Sequence, residues 1–180
     1  VGQILEGRGI PVCDADELAH EQMRPGTRIF RDLVKAFGSG IVGKRGVIDR
    51  TVLAGRVFSK SSDLARLNAL VHPPVKKAWK QWLSGRQEDS PVAAVVVPLL
   101  YEIGEGAGWD AVVCVTASET AQIQRLKGRG LSEADAWKRV RVQMDTDRKA
   151  ELADFVIVNN GTEDMAREQT ERVVKRILER

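Results

Sequence analysis

Short apolar runs alternate with longer helical patterns along this chain. Ile10–Cys13, Val92–Val97, Ala111–Val115 and Phe155–Val158 are unbroken runs of apolar or small residues. Runs of this kind predict buried parallel strands, since a strand covered on both faces loses the alternation of a half-exposed one. Helical patterns separate the runs, which predicts an α/β fold. Several helix starts are marked. Thr116-Ala-Ser-Glu119 and Ser132-Glu-Ala-Asp135 have capping-box spacing. Thr162 opens a last helix with Glu163 and Asp164 in its first turn and Arg176 and Arg180 near its end, the charge order that a helix dipole favours.

The interval between the first two runs is different. From Glu17 to Leu83 the periodicity is helical, punctuated by "RPGT" (Arg24–Thr27), "FGSG" (Phe37–Gly40) and "HPP" (His72–Pro74). It predicts a helical lobe inserted into the sheet domain, with a helix ending at His72 before Pro73. "SGRQEDSP" (Ser84–Pro91) is the turn returning the chain to the core. Trp79 and Trp82, at helical spacing within the lobe, are expected in its core.

Composition narrows the class. The 180 residues are 43% hydrophobic and 29% charged, as in a folded globular protein. A net charge of +3 suits an anionic small molecule and is too weak to indicate nucleic acid. Cys13 and Cys114 sit inside apolar runs, expected to be buried and reduced, with no CxxC pair. No run approaches the roughly 18 apolar residues of a membrane span, and no signal peptide is visible. A soluble, cytoplasmic protein is expected; oligomeric state is not legible. His20 and His72 have no acid or cysteine spacing of a metal site.

Two features carry candidate chemistry. Between the third and fourth runs lies an arginine-rich interval holding Arg125, Lys127, Arg129, Lys138, Arg139, Arg141 and Arg148, with "GRG" at Gly128–Gly130 as a hinge. It is either a solvated helix face or a basic lid over polyphosphate, where guanidinium forks bind phosphate oxygens. The second is "GIPVCDADELAH" (Gly9–His20), which puts two carboxylates just beyond a strand end, where open α/β sheets bind ligands. Asp14 and Glu17 have the spacing of a helix cap, which explains Asp14 and leaves Asp16 spare.

In order along the chain come "PVCDADELAH", "IDRTVLAGRVF" (Ile48–Phe58), "LVHP" (Leu70–Pro73), "VVVPLLYE" (Val95–Glu102), "RLKGRGLSEADA" (Arg125–Ala136), "RVRVQM" (Arg139–Met144) and "ADFVIVNNG" (Ala153–Gly161). Together they resemble the dephospho-CoA kinase family over essentially the whole chain. The resemblance implies a P-loop nucleoside-monophosphate-kinase-like fold: a three-layer α/β/α parallel sheet with an inserted helical substrate lobe and a lid. It assigns residues 1–16, 91–125 and 150–180 to the core, 17–90 to the substrate lobe and 126–149 to the lid. The implied activity is transfer of the γ-phosphoryl of ATP, with Mg2+, to the 3′-hydroxyl of dephospho-CoA. The alternatives are a related nucleoside-monophosphate-type kinase and a non-catalytic protein that binds a CoA-type ligand.

By the same resemblance Asp16 accepts the hydroxyl proton and Asp14 orients it or holds a water of the Mg2+ shell. His20, four residues after Asp16 on one helix face, faces the acceptor ribose or a phosphate. Arg50 either meets the pyrophosphate of dephospho-CoA or is a surface charge, His72 either contacts the same substrate or simply suits a helix C-terminus, and Pro98, Leu99 and Leu100 line the pocket with Glu102 nearby. Arg125, Arg129 and Arg139 bind ATP phosphates, Arg139 sharing a helix face with Gln143, and Asn160 approaches the adenine. Departures from the family pattern are Val96 in place of an acid, Thr146 in place of an arginine, for which Arg148 compensates, and Val158 in "VN" where an acid is usual.

One element of the family is not in the 180 residues. GxxxxGK[ST] occurs nowhere, and in "GSGIVGKRG" (Gly38–Gly46) Arg45 stands where serine or threonine is required. In the family that loop and a first strand precede the position matching Val1, so the sequence is expected to start downstream of both. Without the central strand, its two neighbours are expected to show open apolar faces and unpaired edges.

Overall fold

The computed structural model describes residues 1–57, 60–86 and 90–180. Phe58 of the second motif and the middle of the Ser84–Pro91 turn lie outside the described residues. The chain begins with α1 (Gly2–Glu6), β1 (Val12–Asp14), α2 (Ala15–Gln22) and α3 (Arg28–Phe37). After a 3-10 turn at Ser39–Ile41 come α4 (Arg50–Val57), α5 (Ser61–Ser84) and β2 (Ala94–Val96). Then follow β3 (Val113–Thr116), α6 (Glu119–Gly128), α7 (Glu133–Arg141), α8 (Thr146–Leu152), β4 (Phe155–Val158) and α9 (Glu163–Leu178).

The chain forms two compact units, one of Val12–Val97 and one of Val1–Pro11 with Pro98–Arg180. Each holds one two-stranded parallel sheet. In the first, β1 pairs with β2 so that Asp14 stands opposite Val96. In the second, β3 pairs with β4, with Thr116 opposite Val158. The α/β class and the parallel pairing agree with the sequence.

Burial does not agree. The apolar runs predicted strands covered on both faces, yet Val115 is 44% and Val158 47% exposed, and Val96 and Val156 are exposed as well. β3 has α8 packed on it and β4 has α9, so an apolar run here gives a half-exposed strand. Cys13 is buried, whereas Cys114 is only half-buried for the same reason. Burial pushes both thiols up; the carboxylates of Asp14, Glu17 and Glu21 add to the effect at Cys13, and Lys149 opposes it at Cys114.

The helical unit has the better core. On α3, Ile29, Leu33 and Phe37 recur every four residues and are buried. The helix is opened by the Thr27 hydroxyl, which accepts the Phe30 amide at 3.0 Å, and it stops at Gly38, whose φ of 77° suits a residue without a Cβ. The sequence placed a helix end at His72, but α5 continues through Pro73 and Pro74 to Ser84. The two prolines remove the amides that would reach the Ala69 and Leu70 carbonyls, a defect of about 3 kcal/mol or more at a helix-interior proline. The buried stripe of Val71, Val75 and Trp79 spans the defect, and α5 packs on α2, α3 and α4. Burial of each large apolar side chain contributes about 1.5–3 kcal/mol, so packing holds the helix together across the break. Trp79 is a core residue as expected; Trp82 is half-buried, with the Arg86 guanidinium 5.5 Å from its ring.

In the other unit α9 packs on β4 and α1, and α8 packs on β3. Ser132 and Thr162 cap α7 and α9 through the amides of Asp135 and Met165, as the spacing indicated. The cap of α6 is Ser118, which accepts the Ala121 amide, while Thr116 still belongs to β3; the expected box starting at Thr116 is therefore two residues early. α7 ends at Arg141, so Gln143 is off the helix and does not share a face with Arg139.

Candidate functional site

The carboxyl end of β1 becomes the start of α2 with no intervening loop. Asp14 is the last strand residue and the helix cap at once: its Oδ1 accepts the amides of Asp16 at 2.8 Å and Glu17 at 3.4 Å. The cap fixes the backbone and leaves the side chain of Asp16 exposed, with no hydrogen bond or ion pair among the described residues. His20 lies one turn further on α2 and is half-buried. The helix α5, which packs against α2, carries His72, also half-buried. Its burial holds the His72 imidazole below the ordinary value for histidine, favouring the neutral ring. Arg50 is the first residue of α4 and is exposed; the neighbouring Asp49 accepts the amides of Thr51 and Val52 and so fixes where that helix starts. Asp14, Asp16, His20, Arg50 and His72 thus all belong to the helical unit.

The second group surrounds the carboxyl ends of β3 and β4, which the Thr116–Val158 register places side by side. Asn160 Oδ1 accepts the Ser118 amide at 2.7 Å, tying the loop after β4 to the cap of α6. Arg125, on α6, donates from Nη2 to the Asn159 carbonyl at 2.7 Å. Arg125 and Asn160 are therefore brought together by backbone they both fasten. Arg129 closes α6 and Arg139 lies in the last turn of α7; both are exposed and form no ion pair among the described residues. Arg148 pairs with Glu151 on its own helix at 2.7 Å.

Pro98, Leu99 and Leu100 form the turn after β2, the leucines half-buried and the proline exposed. Glu102, in the same turn, has a partner that sequence spacing gave no means of finding. Its Oε1 meets Lys149 Nζ at 2.7 Å and accepts the Met144 amide at 2.8 Å, while Lys149 Nζ also donates to the Pro98 carbonyl at 3.1 Å. Burial raises the Glu102 carboxyl, but the bonds from Lys149 and Met144 outweigh it and hold the group below its ordinary value. No pattern joins residues 102 and 149, because their contact is made by tertiary structure alone.

Among the described residues, no cluster of three His, Cys, Asp or Glu side chains could hold a metal ion. No helix of the described residues is long and apolar enough to cross a membrane.

The family model for dephospho-CoA kinase (CoaE) matches residues 1–164. The dephospho-CoA kinase of Anaeromyxobacter dehalogenans is 37% identical over 95% of this chain and 82% of that protein. That of Geobacter sulfurreducens is 38% identical over 98% of this chain and 89% of that protein. Among solved structures, TT1252 from Thermus thermophilus superposes with a TM-score of 0.80 at 31% identity, covering 97% of this chain and 87% of that one. A match that runs from the capped aspartate pair to the Asn160 loop, at this identity and over nearly the whole chain, makes the protein a member of the dephospho-CoA kinase family.

Proposed function

We propose that the chain acts as an ATP-dependent dephospho-CoA kinase, phosphorylating the 3′-hydroxyl of dephospho-CoA to give coenzyme A. The observation that supports a chemical role for the aspartate pair is its division of labour. Asp14 is used as a cap, and Asp16 is left with a free carboxylate on a rigid helix start at a strand end. Phosphoryl transfer to an alcohol needs such a group to orient the hydroxyl and take its proton. Asp16 has that role here, and Asp14 holds it in place.

The helical stretch 17–90 serves the acceptor, with His20, Arg50, His72 and the Pro98–Leu100 turn binding dephospho-CoA. Glu102 is taken up by Lys149 and Met144 and is not counted among these ligands. Residues 126–149 act as the lid. Arg125, Arg129 and Arg139 bind ATP phosphates, spreading the negative charge that the transferring group carries, and Asn160 shapes the adenine end. Mg2+, when bound with ATP, neutralises phosphate charge, and Asp14 is the residue that would hold a water of its shell. Two free cysteines fit a reducing, cytoplasmic setting.

A second reading is a protein that binds dephospho-CoA without turnover. Product assays with ATP and a panel of acceptors, run beside calorimetry, separate the two. Turnover of dephospho-CoA and not of nucleoside monophosphates is expected. Binding of dephospho-CoA without product would favour the second reading, and preference for a nucleoside monophosphate would contradict both.

A further inference from the structure

Glu102 and Lys149 are 47 residues apart, yet they form the best-shielded ion pair among the described residues, with side chains 20% and 14% exposed. The other pairs are far more open and sit largely within single helices. A pair shielded to this degree costs desolvation and needs several good hydrogen bonds to be favourable. Here it has them. Glu102 Oε1 accepts from both Lys149 Nζ and the Met144 amide, and Lys149 Nζ reaches the Pro98 carbonyl as well.

The two donors to Glu102 lie on either side of one junction. Arg141 ends α7 and Val142 closes it; Gln143 donates its amide to Val140 at 3.2 Å; Met144 then donates to Glu102. Asp145 caps α8 through the amides of Asp147 and Arg148, and Lys149 lies one turn further. A single carboxylate oxygen therefore fixes both the end of α7 and the start of α8. Arg139 stands in the last turn of α7 and forms no ion pair among the described residues.

We propose that Glu102 and Lys149 are positioning residues: their clasp sets the α7–α8 junction on the Pro98–Glu102 turn, and so places Arg139 for the phosphates of ATP. The proposal rests on the kinase reading above. It assigns Glu102 a role through Lys149 and Met144 instead of direct contact with dephospho-CoA.

The test compares the full chain with Lys149→Met, Lys149→Arg and Glu102→Gln. Steady-state kinetics are measured for both substrates, and hydrogen exchange of the Met144 amide is followed on the same samples. Lys149→Met and Glu102→Gln should raise KM for ATP about tenfold, because a small misplacement of a phosphate-binding group is costly, and leave KM for dephospho-CoA within about twofold. The Met144 amide should exchange about tenfold faster in Lys149→Met. Lys149→Arg, which keeps a cation able to reach both oxygens, should recover most of the loss. Glu102→Gln keeps the shape of the turn and remains informative if Lys149→Met does not fold. Faster exchange at Met144 with KM for ATP unchanged would reduce the clasp to a structural staple and overturn the proposal. So would a rise in KM for dephospho-CoA alone, which would put Glu102 on the acceptor. If the unsubstituted chain makes no product, the kinase reading falls. The clasp is then judged by calorimetric ATP affinity against the same tenfold criterion, and absence of ATP binding overturns it too.

Discussion

Asp14 Oδ1 accepts the backbone amide of Asp16 at 2.8 Å, so the first acid of the pair holds the second by its main chain while leaving its side chain free. The two carboxylates are therefore separable by mutation. Asp14→Ala should lower stability by about 1 kcal/mol, the usual cost of a lost cap. Asp14→Ser, which can still accept the amide, should recover most of it. Denaturant midpoints at a shared m-value check this; equal midpoints for wild type and Asp14→Ala would show that the cap does not bear on stability.

Trp79 is 1% exposed and closes the buried stripe of α5 beyond the two prolines. Trp79→Ala should destabilise the fold by about 3–5 kcal/mol, the range for deleting a large buried aromatic. Trp79→Phe should lose clearly less. Chemical denaturation measures both, and a loss below about 1 kcal/mol for the alanine variant would place the tryptophan outside the core that holds α5 together.

The neutral form of His72 is favoured by burial, so its folded pKa lies below the ordinary 6.5. The sign follows from linkage: the unfolded chain takes up the proton first, so this contribution is intact above pH 6.5 and is lost as pH falls through the depressed folded value. His72→Asn should flatten the decline in stability on the acid side of neutrality. Unfolding free energies measured from pH 7.5 down to pH 5 check it, and parallel curves for the two proteins would contradict it.

Glu102 gives a second acid-side effect at lower pH. Its folded carboxyl is held below the ordinary 4.5, so its contribution is present above that value and disappears as pH falls through the folded one. Glu102→Gln should be less stable than wild type at neutral pH and should converge with it in acid. Thermal unfolding across that range is the measurement; a constant difference at every pH would show that the carboxylate charge is not what the clasp uses.

What the sequence revealed follows from how local each signal is. The Asp14 cap, the Ser132 and Thr162 caps and the β4 strand at Phe155–Val158 are written in neighbouring residues, and the structure places them where the spacing does. The passage of α5 through Pro73 and Pro74 is not local: it depends on Val71, Val75 and Trp79 being buried against other helices, which overrides the backbone preference of proline. The half-exposed β3 and β4 read as buried because an apolar run records what a strand is made of and not how many neighbours cover it. Of the candidate site, the seven ordered motifs identified the family. Neither Lys149 as the partner of Glu102 nor Asn160 as the clip on Ser118 was legible, since each joins residues more than forty positions apart.

The measurement that bears most directly on the account is the turnover of Asp16→Asn with saturating ATP, paired with calorimetric affinity for dephospho-CoA. A carboxylate that takes the hydroxyl proton predicts a kcat lower by about 100-fold or more with dephospho-CoA affinity within a few-fold of wild type. A kcat within about threefold of wild type, or losses of equal size in turnover and affinity, would contradict it.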